Sequence, residues 1–189
     1  MSNNANHAQD AHKPSLFQTV KPVLVLVAIC VVAGTLLGLV HNVSEPVALA
    51  RAEQMAQQTY AQLIPEASTF EEVPCDVEGC TGVLRALDAQ GNQVGAIVVA
   101  ESKGYGGEVE LIVGFDDAGT VRNVVALADE ETPGLGTKIE DESYIGQYVG
   151  KPAETLDAGS VDLISGATIS SKAALAAFNT AVQAYSEVS

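Results

Sequence analysis

Residues 82–128 read GVLRALDAQGNQVGAIVVAESKGYGGEVELIVGFDDAGTVRNVVALA. Four stretches within it, Gly82–Asp88, Gln93–Glu101, Glu108–Phe115 and Thr120–Ala128, are strand-like and bounded by turn residues. Gln90-Gly91-Asn92 joins the first two, and Asp116-Asp117-Ala118-Gly119 joins the last two. Two successive hairpins predict an antiparallel sheet. No Gly-x-Gly-x-x-Gly follows a strand and opens a helix, so a Rossmann-type nucleotide site is not supported. Further on, Leu175, Phe178, Ala181, Val182 and Tyr185 mark one face of a helix over Ile169–Glu187, and Ser143–Val149 reads as a short helix. Strands followed by a packing helix predict an α+β domain. Residues 66–81 read as loop.

Upstream of the sheet, Pro22–Val40 (PVLVLVAICVVAGTLLGLV) carries no charge. As a helix rising about 1.5 Å per residue it spans about 28 Å, close to the hydrocarbon thickness of a bilayer. The sequence thus predicts a cytoplasmic tail over 1–21, a single transmembrane anchor over 22–41, a stalk helix over 42–65 and an extracytoplasmic domain over 66–189. Ser44 caps the stalk and Pro46 lies in its first turn. Leu49, Ala52, Ala56, Tyr60 and Leu63 recur at helical spacing, and Pro65 ends the pattern. The alternative is a cleavable signal peptide ending near Ala48-Leu49-Ala50, although signal h-regions are shorter, about 7–15 residues. Lys13 and Lys21 favour a cytoplasmic N-terminus. Gly34 and Gly38 form a G-x-x-x-G, either a helix-contact face or glycine common to membrane helices.

The chain has 189 residues and a net charge of −15. Residues 1–21 sum to +1 and residues 41–189 to −16, so the acidity belongs to the part after the apolar run. With no cluster of Lys and Arg, nucleic-acid binding is nearly excluded. Cys30 lies in the apolar run. Cys75 and Cys80 (CDVEGC) either close a disulfide in an oxidising compartment or remain free thiols. The chain's three histidines lie far from that pair, and no metal site is expected.

The chemistry concentrates in Asp162-Leu163-Ile164-Ser165-Gly166-Ala167-Thr168-Ile169-Ser170-Ser171-Lys172. Small residues form a turn that feeds a helix start. Such a start offers unpaired amides and a positive dipole end to an anion, with Thr168, Ser170 and Ser171 adding hydroxyls and Lys172 a cation. An ordinary Ser/Thr cap with no ligand fits the same composition.

This run resembles the flavinylation motif D-x-x-[ST]-G-A-T, matched at Asp162, Ser165, Gly166, Ala167 and Thr168. Lys103-Gly104-Tyr105-Gly106-Gly107 and Glu131-Thr132-Pro133-Gly134-Leu135-Gly136-Thr137-Lys138-Ile139 resemble the rest of the FMN-binding domain family, in the family's order. With one span ahead of it, the chain is most similar to the G subunit of the Rnf ion-translocating electron-transport complex. Next comes the C subunit of the sodium-pumping NADH:quinone reductase, usually a longer chain. The Cys75/Cys80 pair departs from the pattern.

The resemblance implies FMN joined covalently to Thr168 through a phosphodiester. A flavin transferase would read Asp162, Ser165, Gly166, Ala167 and Thr168, use FAD as donor and release AMP. The site it implies sets Ser165, Gly166, Ala167, Ser171 and Lys172 about the phosphate. Glu131, Thr132, Gly134, Leu135 and Gly136 lie against the ring, with Thr132 and the Gly134 and Gly136 amides on its polar edge and Leu135 over a face. Tyr105 either stacks near the ring or packs. The implied role is electron transfer between subunits of an inner-membrane redox complex, without independent turnover. Two other readings remain: a non-redox membrane-anchored binding or assembly module, and, more weakly, a Thr- or Ser-nucleophile hydrolase. The latter lacks a base, because only His41 lies in the part after the span.

Overall fold

The computed structural model describes residues 24–35 and 55–188. These belong to two separate units, divided after Glu53. In the first, residues 24–35 are helical and every side chain is exposed, Leu24, Ile29 and Val31 among them. Among the described residues no helix is long and apolar enough to cross a membrane. The rest of the expected anchor, the tail over 1–21 and residues 42–54 with Ser44, Pro46, Leu49 and Ala52 lie outside the described residues.

The second unit is built on five antiparallel strands: β1 (Thr69–Val73), β2 (Cys80–Leu87), β3 (Gln93–Lys103), β4 (Glu108–Asp116) and β5 (Val121–Leu127). Their order in the sheet is their order in the chain. The two expected hairpins are present. They merge into one meander because β3 also pairs with β4, from Gly95↔Asp116 to Lys103↔Glu108. Each hairpin turn is held by an aspartate. Asp88 accepts the Gln90 and Asn92 amides, both at 2.8 Å, and Asp116 accepts those of Ala118 (3.1 Å) and Thr120 (2.7 Å). A short side chain that can bond the backbone two residues on is what such a turn requires.

The loop expected over 66–81 contains β1. Thr69, Glu71 and Glu72 are exposed, and only Phe70 and Val73 are half-buried. An edge strand has one neighbour and is kept from further pairing by its charges, so it shows no apolar alternation. The short helix is also narrower than expected, Glu142–Ile145, and the chain from Gly146 to Gly150 is turn.

Both faces of the sheet are covered. On one, Val98, Ala100, Leu111, Val113 and Phe115 pack with Leu175, Phe178, Ala181 and Tyr185 of the C-terminal helix, Thr168–Val188. On the other, Ala86, Ile97, Val99 and Ile112 pack with Leu63 and Ile64. Residues 55–63 are helical, so the end of the expected stalk docks on the sheet. Two-sided burial explains why β3 and β4 run AIVVA and LIV rather than alternating with polar residues.

The aromatic contacts brace this layer. Tyr148 lies 4.7 Å from Phe178 between ring centroids, and Phe115 stacks on Tyr185 at 4.4 Å. Cys75 and Cys80 are half-buried free thiols beside the same core. Burial and the hydrogen bond with Cys75 push the Cys80 thiol up to about 12. Phe178 is fully buried. Phe178→Ala is expected to lose about 3–5 kcal/mol, read as a lower urea midpoint.

Candidate functional site

Three segments meet at a cleft of about 600 Å³ on the helix side of the domain. The first is the glycine loop between β3 and β4, the second follows β5, and the third is the start of the C-terminal helix.

The helix start is shaped by a tight turn. The Ala167 amide donates to the Ile164 carbonyl at 3.0 Å, and Gly166 sits in the turn with φ +85°. Residues with a Cβ rarely adopt that conformation, which accounts for glycine here. Ser171 locks the turn from inside: fully buried, its hydroxyl accepts the Ile164 amide (3.1 Å) and donates to the Ala167 carbonyl (2.9 Å). The Tyr144 hydroxyl donates to the Ser171 carbonyl at 2.9 Å, tying the short helix to the same point. Asp162 is held by its backbone. Its amide donates to Gln147 Oε1 (2.6 Å), its carbonyl accepts from Gln147 Nε2 (3.4 Å), and the residue is exposed. The result is an exposed Thr168 at the first helical position, in a turn without acidic residues. The amides of a first turn have no intrahelical acceptor.

Glu131 is the centre of the opposite wall. It is only 4% exposed. Its Oε1 accepts the amides of Tyr105 (2.6 Å) and Gly106 (3.2 Å), and its Oε2 accepts the Ser170 hydroxyl (2.9 Å). Burial pushes the carboxyl up. The hydrogen bonds from Ser170 and from the Tyr105, Gly106 and Thr132 amides outweigh that and leave it below the usual glutamate range. The glycines around it make the room: a Cβ on Gly104 would overlap Oε1, and one on Gly136 would overlap Oε2. Glu130 repeats the arrangement outside, accepting the Glu108 amide at 3.3 Å where a Cβ on Gly107 would collide with its carboxylate.

Eight residues expected at the site line the cleft: Tyr105, Glu131, Thr132, Leu135, Gly136, Gly166, Ala167 and Thr168. Others have different work. The Gly134 amide donates to Thr137 Oγ1 (2.9 Å) and the Gly136 amide to the Thr132 carbonyl (2.9 Å), so neither is free for a ligand's polar edge. Ser171 holds the turn, and Ser165, Lys172 and Asp162 are exposed outside the lining. Lys138 borders a separate depression with Asp141 and Asp162.

Of the other two lining residues, Ile169 is not singled out as a site residue by sequence, and Ser170, expected to add a hydroxyl for an anion, donates it to Glu131 instead. Ile169 is 53% exposed and lies off the buried stripe of its helix, an apolar residue where that stripe predicts none. With Tyr105 (73% exposed) and Leu135 (41%) it gives the cleft an apolar rim.

The family model for the FMN-binding domain matches residues 104–183, from the glycine loop well into the C-terminal helix. The chain is 35% identical over 173 residues to the G subunit of the ion-translocating oxidoreductase complex of Methanosarcina acetivorans, covering 86% of this chain and 92% of that one. The chain belongs to the family of G subunits of ion-translocating oxidoreductase complexes. Another member, the G subunit of the proton-translocating ferredoxin:NAD(+) oxidoreductase complex of Clostridium ljungdahlii, is 32% identical over 185 residues, covering 93% and 95%. Among solved structures, the C subunit of the Na(+)-translocating NADH-quinone reductase from Parabacteroides distasonis aligns with TM-score 0.47 and 23% identity, over 56% of this chain and 61% of that one. The cleft lies within the FMN-binding domain. Its residues fit a flavin nucleotide. The volume falls in the range of about 300–1,000 Å³ usual for small-molecule sites. An apolar rim faces a wall of small residues, with the Thr168 hydroxyl at the helix start.

The glycine cage yields a stability prediction. Gly104→Ala and Gly136→Ala are each expected to cost about 1–3 kcal/mol by overpacking against the Glu131 carboxylate, measured by chemical unfolding. Because the folded Glu131 pKa is lowered, its contribution is fully present above the ordinary glutamate value of about 4.3 and is lost as pH falls through the folded value. Between about pH 6 and pH 3 the unfolding midpoint of the unaltered chain therefore falls more steeply than that of Glu131→Gln.

Proposed function

We propose that this chain carries FMN covalently on Thr168 and serves as a membrane-anchored electron-transfer component of its complex. The observation that carries the reading is the exposed Thr168 at the mouth of a cleft walled by the two other motif loops. Attachment replaces the Thr168 hydroxyl hydrogen with phosphorus. The phosphoanhydride of FAD breaks, AMP leaves, and the transferase takes the proton. Asp162 and the exposed Ser165 and Gly166 present the motif to that enzyme, on a turn that Ser171 and Gln147 hold in place.

Bound FMN supplies one- and two-electron redox chemistry through its ring. The protein's share is placement. Leu135, Ile169 and Tyr105 offer apolar cover, Thr132 a polar contact, and Gly166 a place where backbone approaches closely. Residues 22–41 anchor the chain, with the N-terminus cytoplasmic and the acidic domain outside. Its working partners are the other subunits of the complex. A covalent bond suits this domain, whose net negative field repels a free phosphate. The curated relatives favour the Rnf-type G subunit over the quinone-reductase alternative, and FMN-binding-domain membership favours a redox role over a bare assembly module.

Co-expression with a flavin transferase, followed by intact-mass analysis and in-gel fluorescence, tests the assignment. The unaltered chain is expected to gain one FMN moiety, and Thr168→Val is expected to lose it completely. Fluorescence that persists in the denatured Thr168→Val band refutes the attachment site.

A further inference from the structure

The most constrained group in the domain is the Glu131 carboxylate. It is buried and accepts from the glycine loop on one side and from the C-terminal helix on the other. Glycine is required at two positions to admit it. A carboxylate costs several kcal/mol to bury unless its partners are well placed. An amide in its place has one acceptor oxygen instead of two and makes weaker, uncharged bonds, so the carboxylate is the group that accepts from loop and helix at once.

We propose that Glu131 is the positioning residue of the cleft: its carboxylate latches the Gly104–Gly107 loop to the first turn of the C-terminal helix and sets a fixed negative charge in the wall facing the flavin ring. The latch acts at two points of the site. Through the Tyr105 and Gly106 amides it places the exposed Tyr105 ring at the rim. Through Ser170 it holds the helix two residues beyond Thr168, where the cofactor is tied. The charge disfavours added electron density on a neighbouring ring and so lowers its potential. Lys138, the cation of the same loop, borders another depression, and Lys172 lies outside the lining, so neither joins the cleft wall to offset it.

This inference rests on the reading that the cleft holds FMN, and two arms of one experiment separate them. In flavin-free Thr168→Val full-length chain, adding Glu131→Gln is expected to speed hydrogen exchange at the Tyr105 and Gly106 amides by about tenfold or more, as charge-assisted bonds are replaced by weaker ones. Unchanged exchange overturns the latch. In flavin-loaded chain, Glu131→Gln is expected to shift the midpoint potential upward, so that the reduced-to-oxidised ratio at the original midpoint rises about tenfold. Ser170→Ala takes one donor from the carboxylate while keeping its charge, and is expected to shift the potential the opposite way. A scaffolding role alone moves neither value in opposite directions. Equal potentials in both variants overturn the charge assignment, and Ser170→Ala decides it if Glu131→Gln fails to fold. Absence of flavin from the unaltered chain overturns the functional reading and the charge assignment together, while the exchange arm still decides the latch.

Discussion

The close approach of one helix to one sheet sets everything else in the domain. The buried face of Thr168–Val188 includes Ala173, Ala174, Ala177, Ala181 and Ala184 between its larger residues. Small side chains let a helix lie near its neighbour, while Leu175, Phe178 and Tyr185 fix its rotation by their fit against β3 and β4. Thr168 has no freedom of its own in this scheme. Its place follows from a core several turns away, and a site on a rigid element is held more closely than one on a loop.

The cleft also shows how an acidic domain manages its own backbone. A glycine-rich loop with free amides commonly receives a phosphate. Here Glu130 and Glu131 occupy the amides of Tyr105, Gly106 and Glu108. The first turn of the C-terminal helix, whose amides have no intrahelical acceptor, carries no acidic residue that competes for them. Internal carboxylates thus sort the two glycine-bearing segments into a structural one and a receptive one.

Much of this was legible beforehand, and the reasons differ by element. The central strands announced themselves because two-sided burial demands continuous apolar runs. The C-terminal helix did so because one face had to meet a sheet. β1 was silent, since an edge strand of Thr, Phe and Glu satisfies its pairing without an apolar pattern. At the site, the lining residues that sequence singled out sit in motif runs. Ser165, Lys172 and Asp162 are exposed outside the lining, and the other exceptions within those runs share a cause. Ser171 and the amides of Gly134 and Gly136 are polar groups of the right kind, but the fold spends them internally. Hydrogen bonds between residues close in space cannot be counted from a one-dimensional string, and a donor already satisfied looks the same there as a free one.

The strand order carries a consequence for assembly. Every strand pairs only with its neighbours in sequence, so the sheet forms through short-range closures. The helix that completes the cleft joins across about forty intervening residues, a longer closure with a higher entropic cost. Sheet and cleft thus rest on closures of different length: the five paired strands alone lack one wall of the site. Thr168 comes to face the two loops only when the helix has docked.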